Sequence, residues 1–201
     1  MTRTPPQCHI RVPERYTLPA MAAFPPGRLR ARPIGQNFHV VLVEPEIPPN
    51  TGNIARLCAA TGAHLHLVGR LGFSVDQKAV RRAGLDYWDE VSLETHESLT
   101  AVETTLGTRY PSAHSWLLSG RATRSYLDVS FEMGDVLVFG KESTGLDPEL
   151  LARREDAVIG IPTLGAVRSL NLANSVAIVL YEALRQVGAL TPCSDTRRAL
   201  V

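Results

Sequence analysis

Three loops that each follow an apolar run carry most of the residues able to do chemistry. They lie in residues 44–62 (EPEIPPNTGNIARLCAATG), 136–146 (VLVFGKESTGL) and 159–181 (IGIPTLGAVRSLNLANSVAIVLY). Their glycines expose backbone N–H and C=O groups, and Asn53, Glu142, Ser169 and Asn171 add side-chain hydrogen-bonding groups. Such a set suits a neutral, adenosine-like ligand that is bound by main-chain hydrogen bonds between apolar walls.

The sequence signatures of several other chemistries are missing from the chain. It contains neither a GxxxxGK[ST] phosphate loop nor a GxGxxG dinucleotide fingerprint. No serine lies in a GxSxG nucleophile elbow. The three cysteines have no CxxC spacing, and no group of His and Cys residues has the spacing of a metal site. We therefore expect no bound metal.

Several of the loop residues also have purely structural interpretations. Ser169 is a candidate N-cap of the last helix, and Asn50 and Asn53 are candidate caps of the first helix. Gly145 is a candidate turn residue. Arg56 lies about one turn into the predicted first helix, near the end at which the helix dipole disfavours a cation. We therefore expect a functional role for Arg56.

Apolar, strand-like runs alternate with helical patterns from Phe38 onward. The predicted strands are 38–43, 64–68, 88–93, 115–119, 136–140 and 157–161, and the predicted helices lie near 51–60, 77–83, 97–106, 148–152 and 169–186. This alternation predicts an α/β fold in which a mostly parallel sheet carries helices on both faces. Ligands of such sheets bind at the carboxyl ends of the strands, where all three loops fall.

The last predicted helix is apolar on more than one face. One stripe consists of Leu172, Val176, Val179 and Ala183, and it is widened by Leu180, Leu184 and Val187. A stripe wider than about 100° requires more than one partner surface. Burial under the sheet and a homodimer interface both explain this width.

The charge is unevenly distributed along the 201 residues. The first 37 residues carry six Arg and one Glu, whereas the remaining 164 carry 15 basic and 19 acidic side chains, a net charge of −4. Residues 1–36, rich in Pro and Arg, are predicted to be a flexible extension, 37–190 a single folded domain and 191–201 a tail. Nucleic-acid binding must then rest on local basic clusters. The candidates are Lys78–Arg81–Arg82, Arg121–Arg124 and Arg153–Arg154, and solvated helix faces also explain each of them.

The number of cysteines and the length of the longest apolar stretch give expectations for cellular location and membrane association. The odd number of scattered cysteines fits a reducing compartment, so we expect a cytoplasmic protein. No apolar stretch reaches the ~18 residues of a membrane span, because Glu182 interrupts the longest one. We expect no membrane partner.

Four segments together resemble the sequence motifs of the SPOUT superfamily of knotted RNA methyltransferases. They read NTGNIARLCAATG, KAVRRAGLDY, FGKESTGL and RSLNLANSVAIVLYEALRQ. The resemblance spans residues 38–188 in the expected order and spacing. It is strongest to the branch that methylates the ribose 2′-oxygen of the tRNA wobble nucleotide.

The resemblance implies a trefoil knot in the C-terminal half, bound S-adenosylmethionine and an obligate homodimer. Arg56 and Asn53 match the residues that act on the ribose hydroxyl, and Asn171 and Asn174 match residues that shape the site. Glu142 also lies among the implied catalytic residues. The implied cofactor-binding residues are Leu118, Gly140, Gly145, Ile161, Ser169 and Leu170, and the implied RNA-binding residues are Lys78, Arg81, Arg82 and Arg168.

The implied substrate is the anticodon stem-loop of a tRNA, methylated at cytidine or uridine 34. Because a guanidinium stays protonated in proteins, Arg56 suits a clamp on a phosphate or developing alkoxide rather than a base. The base is left open. The alternatives are a 2′-O-methyltransferase of ribosomal RNA or of another tRNA position, and a non-catalytic RNA-binding module of the same fold.

Overall fold

The computed structural model of the chain describes residues 29–31, 34–71, 90–166 and 169–192. Most of the predicted extension and tail, and the predicted helix 77–83, lie outside these residues. Within them the strands are β1 (His39–Val43), β2 (His64–Val68), β3 (Leu93–His96), β4 (Ser115–Leu118), β5 (Val136–Phe139) and β6 (Val158–Ile159). The α-helices are α1 (Pro48–Thr61), α2 (Leu99–Arg109), α3 (Pro148–Arg153) and α4 (Leu172–Gln186), and short 3₁₀ helices cover Tyr126–Asp128 and Glu155–Ala157.

The strands form one sheet in the order β3-β2-β1-β5-β4-β6. Every strand pair is parallel, which confirms the predicted parallel sheet. The first strand, β1, lies in the middle of the sheet. Strands β2 and β3 follow on one side of it, and β4, β5 and β6 lie on the other side. The order therefore reverses between β1 and β5. A crevice opens at the carboxyl ends of the strands at such a reversal, and this crevice is the usual ligand site of an open α/β sheet.

Helices cover both faces of this sheet, as the sequence predicts. On one face, α1 and α4 pack against the strands through buried side chains that include Ile54 and Val179. On the other face, α2 contributes Val102 and Leu106, and α3 contributes the partly buried Leu150. Because both faces are covered, the central strands β1 and β5 are buried along almost their whole length.

Helix α1 begins three residues earlier than the predicted start near residue 51. Pro48 and Pro49 occupy its first positions, where a missing N–H costs nothing because no intrahelical acceptor exists there. The helix ends at Gly62, whose φ of 74° is left-handed. At about 3.6 residues per turn, Arg56 lies more than two turns into the helix. The prediction that it lies about one turn in, near the positive end, is wrong.

Two other predicted boundaries differ from the structure. Helix α4 begins at Leu172, and its N-cap is Asn171, whose side chain accepts hydrogen bonds from the N–H groups of Ala173 and Asn174. The alternative in which Ser169 is the cap is therefore wrong. Strand β3 covers Leu93–His96, where it pairs with Leu65–Val68 of β2, whereas residues 90–92 of the predicted strand 88–93 lie before it and residues 88 and 89 are outside the described residues.

The wide apolar surface of α4 is largely buried within the chain. Val176, Val179 and Leu180 are fully buried against the sheet and α1. Ile178 and Tyr181 remain 37% and 47% exposed. Within the described residues no helix is both long enough and apolar enough to cross a membrane.

Candidate functional site

A pocket of about 770 Å³ opens at the carboxyl ends of β4, β5 and β6 and beside the start of α1. It brings together all three sequence-predicted loops. Of the predicted site residues it is lined by Leu118, Gly140, Glu142, Gly145, Ile161, Ser169, Leu170 and Asn171. Its volume falls in the range of about 300–1,000 Å³ that is typical of small-molecule sites.

The turn after β5 forms one wall of the pocket with its main chain. The N–H of Gly145 donates to the carbonyl of Lys141 over 2.9 Å, and the φ of Gly145 is 76°, so this position is a turn as well as part of the site. A Cβ on Gly140 would lie 2.2 Å from the carbonyl carbon of Gly145 and 2.3 Å from the nitrogen of Leu146. Only glycine fits this backbone-to-backbone contact.

The carboxylate of Glu142 ties the second loop to the first. It accepts hydrogen bonds from the N–H groups of Glu46 (2.8 Å) and Ile47 (3.3 Å) and from Nδ2 of Asn50 (2.9 Å). Partial burial opposes ionisation, but these donors outweigh it and lower the pKa of Glu142 below its ordinary value. With three donors already bound, this carboxylate is best suited to hold the loop as a fixed negative charge.

The amide of Asn50 extends this connection to the third loop. Its Oδ1 accepts a hydrogen bond from Nδ2 of Asn171 over 2.9 Å, while Oδ1 of Asn171 caps α4. A carboxylate only accepts and a backbone N–H only donates, so both ends of the chain Glu142–Asn50–Asn171 have fixed roles and both amide orientations follow. We call this chain the amide relay. It joins the three loops that surround the pocket.

In a second connection between the first two loops, the first loop supplies the carboxylate and the second loop supplies the donors. The backbone N–H and the hydroxyl of Ser143 both donate to the carboxylate of Glu46, each over 2.9 Å. Lys141 forms an ion pair with Glu44, whose φ of 48° is left-handed. The first two loops thus hold each other through donors and acceptors on both sides.

Sequence reasoning missed Asn50 and Ser143 as members of the site. The sequence predicts Asn50 only as a helix cap, yet α1 has no side-chain cap, and the Asn50 side chain bonds to Glu142 and Asn171 of the other two loops instead. The available signal was its position in the first turn directly after two prolines. A buried amide there has no need to cap and must find another partner.

The structure does not bring Arg56 and Asn53 into this pocket. Neither residue lines it, and both are exposed on α1. At about 1.5 Å per residue, Arg56 lies ~9 Å further along the helix than Asn50. Asn174 also lies outside the lining and is exposed. The predicted RNA-binding residues Lys78, Arg81, Arg82 and Arg168 are outside the described residues.

The two other basic clusters have structural contacts. The Arg124 guanidinium lies 5.6 Å from the centre of the Trp116 ring, a cation–π distance. Arg154 forms an ion pair with Glu103 of α2 and donates to the carbonyl of Ser115 over 3.3 Å. Both side chains therefore support the fold around β4.

Sheet order, crevice and pocket define an open parallel α/β protein that binds a small molecule at the strand ends between three interlocked loops. Residues 37–181 match the model of the SpoU rRNA Methylase family. The chain belongs to this family.

The chain is also similar to individual proteins of known name or structure. The tRNA (cytidine(34)-2′-O)-methyltransferase of Saccharophagus degradans is 47% identical over 152 residues, which are 75% of this chain and 96% of that protein. A solved structure concerning 2-OH methylation of C/U34 on tRNA superposes with a TM-score of 0.69 at 44% identity, covering 76% of this chain and 97% of the other. The SpoU methyltransferase AviRb from Streptomyces viridochromogenes, in complex with AdoMet, gives a TM-score of 0.64 at 27% identity, covering 78% and 60%.

Proposed function

We propose that this protein transfers a methyl group from S-adenosylmethionine to the ribose 2′-oxygen of the tRNA wobble nucleotide, a cytidine or uridine at position 34. The observation that carries the proposal is the pocket itself. All six residues expected to bind the cofactor line it, in a chain that aligns with 96% of a relative named for this reaction.

The pocket fits the proposed cofactor in size and in chemistry. Apolar side chains of Leu118, Ile161 and Leu170 line it together with the main chain of the Gly140–Gly145 turn. A pocket with apolar walls and main-chain donors and acceptors suits an adenosine moiety. S-adenosylmethionine, when bound, supplies an electrophilic methyl group on a sulfonium.

The remaining catalytic tasks fall to residues of the chain. The amide relay fixes the three loops relative to one another, so the pocket is organised before the ligand arrives. The attacking 2′-oxygen develops negative charge as it loses its proton, and a nearby guanidinium stabilises that charge. Arg56 is the residue proposed for this stabilisation, because it stays protonated throughout.

Because Arg56 lies outside the pocket of its own chain, we place it at the pocket of a second copy. The exposed Ile178 and Tyr181 on α4, the helix that packs beside α1, offer apolar surface for such a homodimer. Twofold symmetry would then present each α1 to the other chain. An active site shared between two copies reconciles the position of Arg56 with its proposed role.

A trefoil knot is part of the same proposal, and the surroundings of Gly160 support it. On one side, the N–H of Ser119 donates to the carbonyl of Ile159 over 3.0 Å. On the other side, Gly160 exchanges hydrogen bonds with Arg124 and Tyr126, each over 2.9 Å. Both sides belong to the single connection between β4 and β5. The chain at Gly160 thus passes between two parts of one loop, as threading requires.

Nucleoside mass spectrometry tests the reaction and its position. Incubation with S-adenosylmethionine and a tRNA that carries cytidine 34 is expected to yield 2′-O-methylcytidine. The matched control is the same tRNA with 2′-deoxycytidine at position 34, which has no oxygen to accept the methyl group and should yield none.

Ribosomal RNA in the same assay tests the alternative that the family description suggests. The proposal fails if ribosomal RNA is methylated and tRNA is not, or if the deoxy substitution leaves tRNA methylation unchanged. RNA binding without methylation of either substrate would instead establish the non-catalytic module.

A further inference from the structure

A row of histidines crosses the half of the sheet that the pocket does not use. Nδ1 of His39 on β1 lies 3.0 Å from Nε2 of His66 on β2, and Nδ1 of His66 lies 3.0 Å from Nε2 of His96 on β3. The pocket lies on the other side of the sheet order, at β5, β4 and β6. The proposed methyl transfer assigns no task to this row.

The outer end of the row gathers three groups that bind metals. In the parallel pairing of β2 and β3, His66 lies opposite Glu94, so both side chains leave the same face of the sheet. The side chain of His96, two residues after Glu94, lies on the same face. One potential ligand atom from each of the three residues lies within 4.8 Å of the other two.

The spacing of these atoms matches what a small divalent ion requires. Two ligands at about 2.0–2.1 Å from Zn²⁺ with tetrahedral angles lie about 3.3 Å apart. The distance between His66 Nδ1 and His96 Nε2 is 3.0 Å, and that between His96 Nε2 and a Glu94 carboxylate oxygen is 3.7 Å. These two distances bracket the required value, and the third, between His66 and Glu94, is within 4.8 Å.

We infer that His66, Glu94 and His96 form a binding site for a divalent transition metal, with Zn²⁺ as the best match. Two imidazoles and one carboxylate are an established zinc ligand set, completed by a water molecule in the fourth position. The site would join β3 to β2 and stabilise the outermost strand among the described residues.

Burial and protonation favour the site. His66 is buried, whereas the side chains of His96 and Glu94 are 10% and 25% exposed, so an ion can enter from the sheet edge. Burial lowers the pKa of His66 to about 2 and also lowers that of His96. Both imidazoles are therefore neutral at pH 7, and protons do not compete with a metal for their lone pairs.

His39, the remaining histidine of the row, limits the affinity of the site for a metal. A neutral His66 that binds metal through Nδ1 carries its proton on Nε2 and donates it to Nδ1 of His39. His39 must then carry its own proton on Nε2, which is buried and has no hydrogen-bond partner among the described residues. This unpaired N–H opposes binding, so we expect weaker affinity than that of a closed four-ligand zinc site.

Direct metal titration distinguishes the site from a row of neutral, hydrogen-bonded histidines. The full-length protein is treated with a chelator and desalted, then titrated with Zn²⁺ by calorimetry and with Co²⁺ by visible absorption. We expect one saturable equivalent, tetrahedral Co²⁺ bands and a higher melting temperature with Zn²⁺. Each of His96→Gln and Glu94→Gln should weaken binding about tenfold or more.

The matched control is His114→Gln, which alters an exposed histidine outside this cluster and should leave metal affinity unchanged. His96→Gln and Glu94→Gln alter partly exposed side chains, so they keep the test valid even if the buried His66 does not tolerate substitution. The inference is overturned if the wild-type protein shows no saturable binding, or if both variants bind Zn²⁺ as tightly as the wild type.

Discussion

Asn50 is the residue on which the geometry of the pocket depends most. Its amide is 6% exposed and uses both ends, one on Glu142 and the other on Asn171. Truncation would leave the Asn171 amide and one oxygen of Glu142 short of a partner. Unsatisfied groups of this kind cost about 1–3 kcal/mol each.

We predict that Asn50→Ala weakens binding of S-adenosylmethionine by about tenfold, which corresponds to ~1.4 kcal/mol. The fold should remain, because the core clusters do not include this side chain. Calorimetric titration of the ligand measures the effect. Asn53→Ala is the control, since Asn53 lies on the same helix but outside the pocket. Equal affinities for the two variants would contradict the role of the relay.

Glu142 gives the relay a pH dependence. Despite the opposing effect of burial, hydrogen bonds from Asn50, Glu46 and Ile47 lower its pKa below the ordinary value of 4.5. A carboxyl whose pKa is lower in the folded state stabilises the fold above the unfolded pKa, and this stabilisation disappears as pH falls through the folded value.

The predicted measurement compares melting temperatures of the wild type and Glu142→Gln between pH 4 and pH 8. Glutamine adds an N–H that faces the donors of the first loop, so the variant should melt lower at neutral pH. The difference should stay constant down to about pH 5 and shrink as pH falls below 4.5, because the unfolded carboxyl takes up its proton there while the folded carboxyl, with its lower pKa, is still ionised. A difference that grows on acidification would show that another group is responsible.

At the scale of elements, Gly140 is required because two backbone segments touch there, whereas Gly107 has no such contact. The Cβ of an alanine at position 140 would lie 2.2 Å from a backbone carbon of the same turn. Gly107, inside α2, has open space around the corresponding position. The two glycines form a matched pair for one substitution.

Gly140→Ala should destabilise the protein by about 1–3 kcal/mol through forced opening of the turn, and should abolish cofactor binding. Gly107→Ala should stabilise it by about 0.5–1 kcal/mol, because alanine loses less backbone entropy in a helix. Urea unfolding gives both values. Normal stability and binding in Gly140→Ala would show that the turn is free to open.

The sequence predicts elements better than it predicts their ends. β2 matches its predicted bounds, and β1, β4 and β5 differ from theirs by one residue, because short apolar runs between turn residues leave few alternatives. The start of α1 was missed because its prolines resemble a loop. Because the helix is predicted to begin too late, Arg56 is predicted closer to the pocket than the structure places it.

The cofactor-binding part of the site was predictable, since loops at the ends of parallel strands meet at one edge. The histidine cluster was not. His66 is separated from Glu94 and His96 by more than twenty positions in the sequence, and only the register between β2 and β3 reveals that they share a face. The available signal was the i, i+2 spacing of Glu94 and His96.

For the whole molecule, the position of Arg56 makes a prediction about assembly. If Arg56 serves the pocket of a second copy, then Arg56→Ala and Gly140→Ala damage different parts of each composite site. A mixed dimer contains one site with both defects and one site with neither.

Each variant alone should be inactive, and co-expressed or remixed protein should recover about a quarter of wild-type activity. This value follows from random pairing, in which half of the dimers are mixed and one of their two sites works. A size measurement on each variant checks that it still dimerises. Failure to recover any activity would place Arg56 at the pocket of its own chain.

The wall formed by Gly140 and its turn also bears on inhibitor resistance. Resistance mutations usually act by changing a side chain that touches the inhibitor. Here the contacting surface is main chain, and the close approach of Gly145 excludes a side chain at position 140. A compound that hydrogen-bonds to this turn would therefore face a target with few escape routes, because substitutions that repel the compound would also close the pocket to its natural ligand.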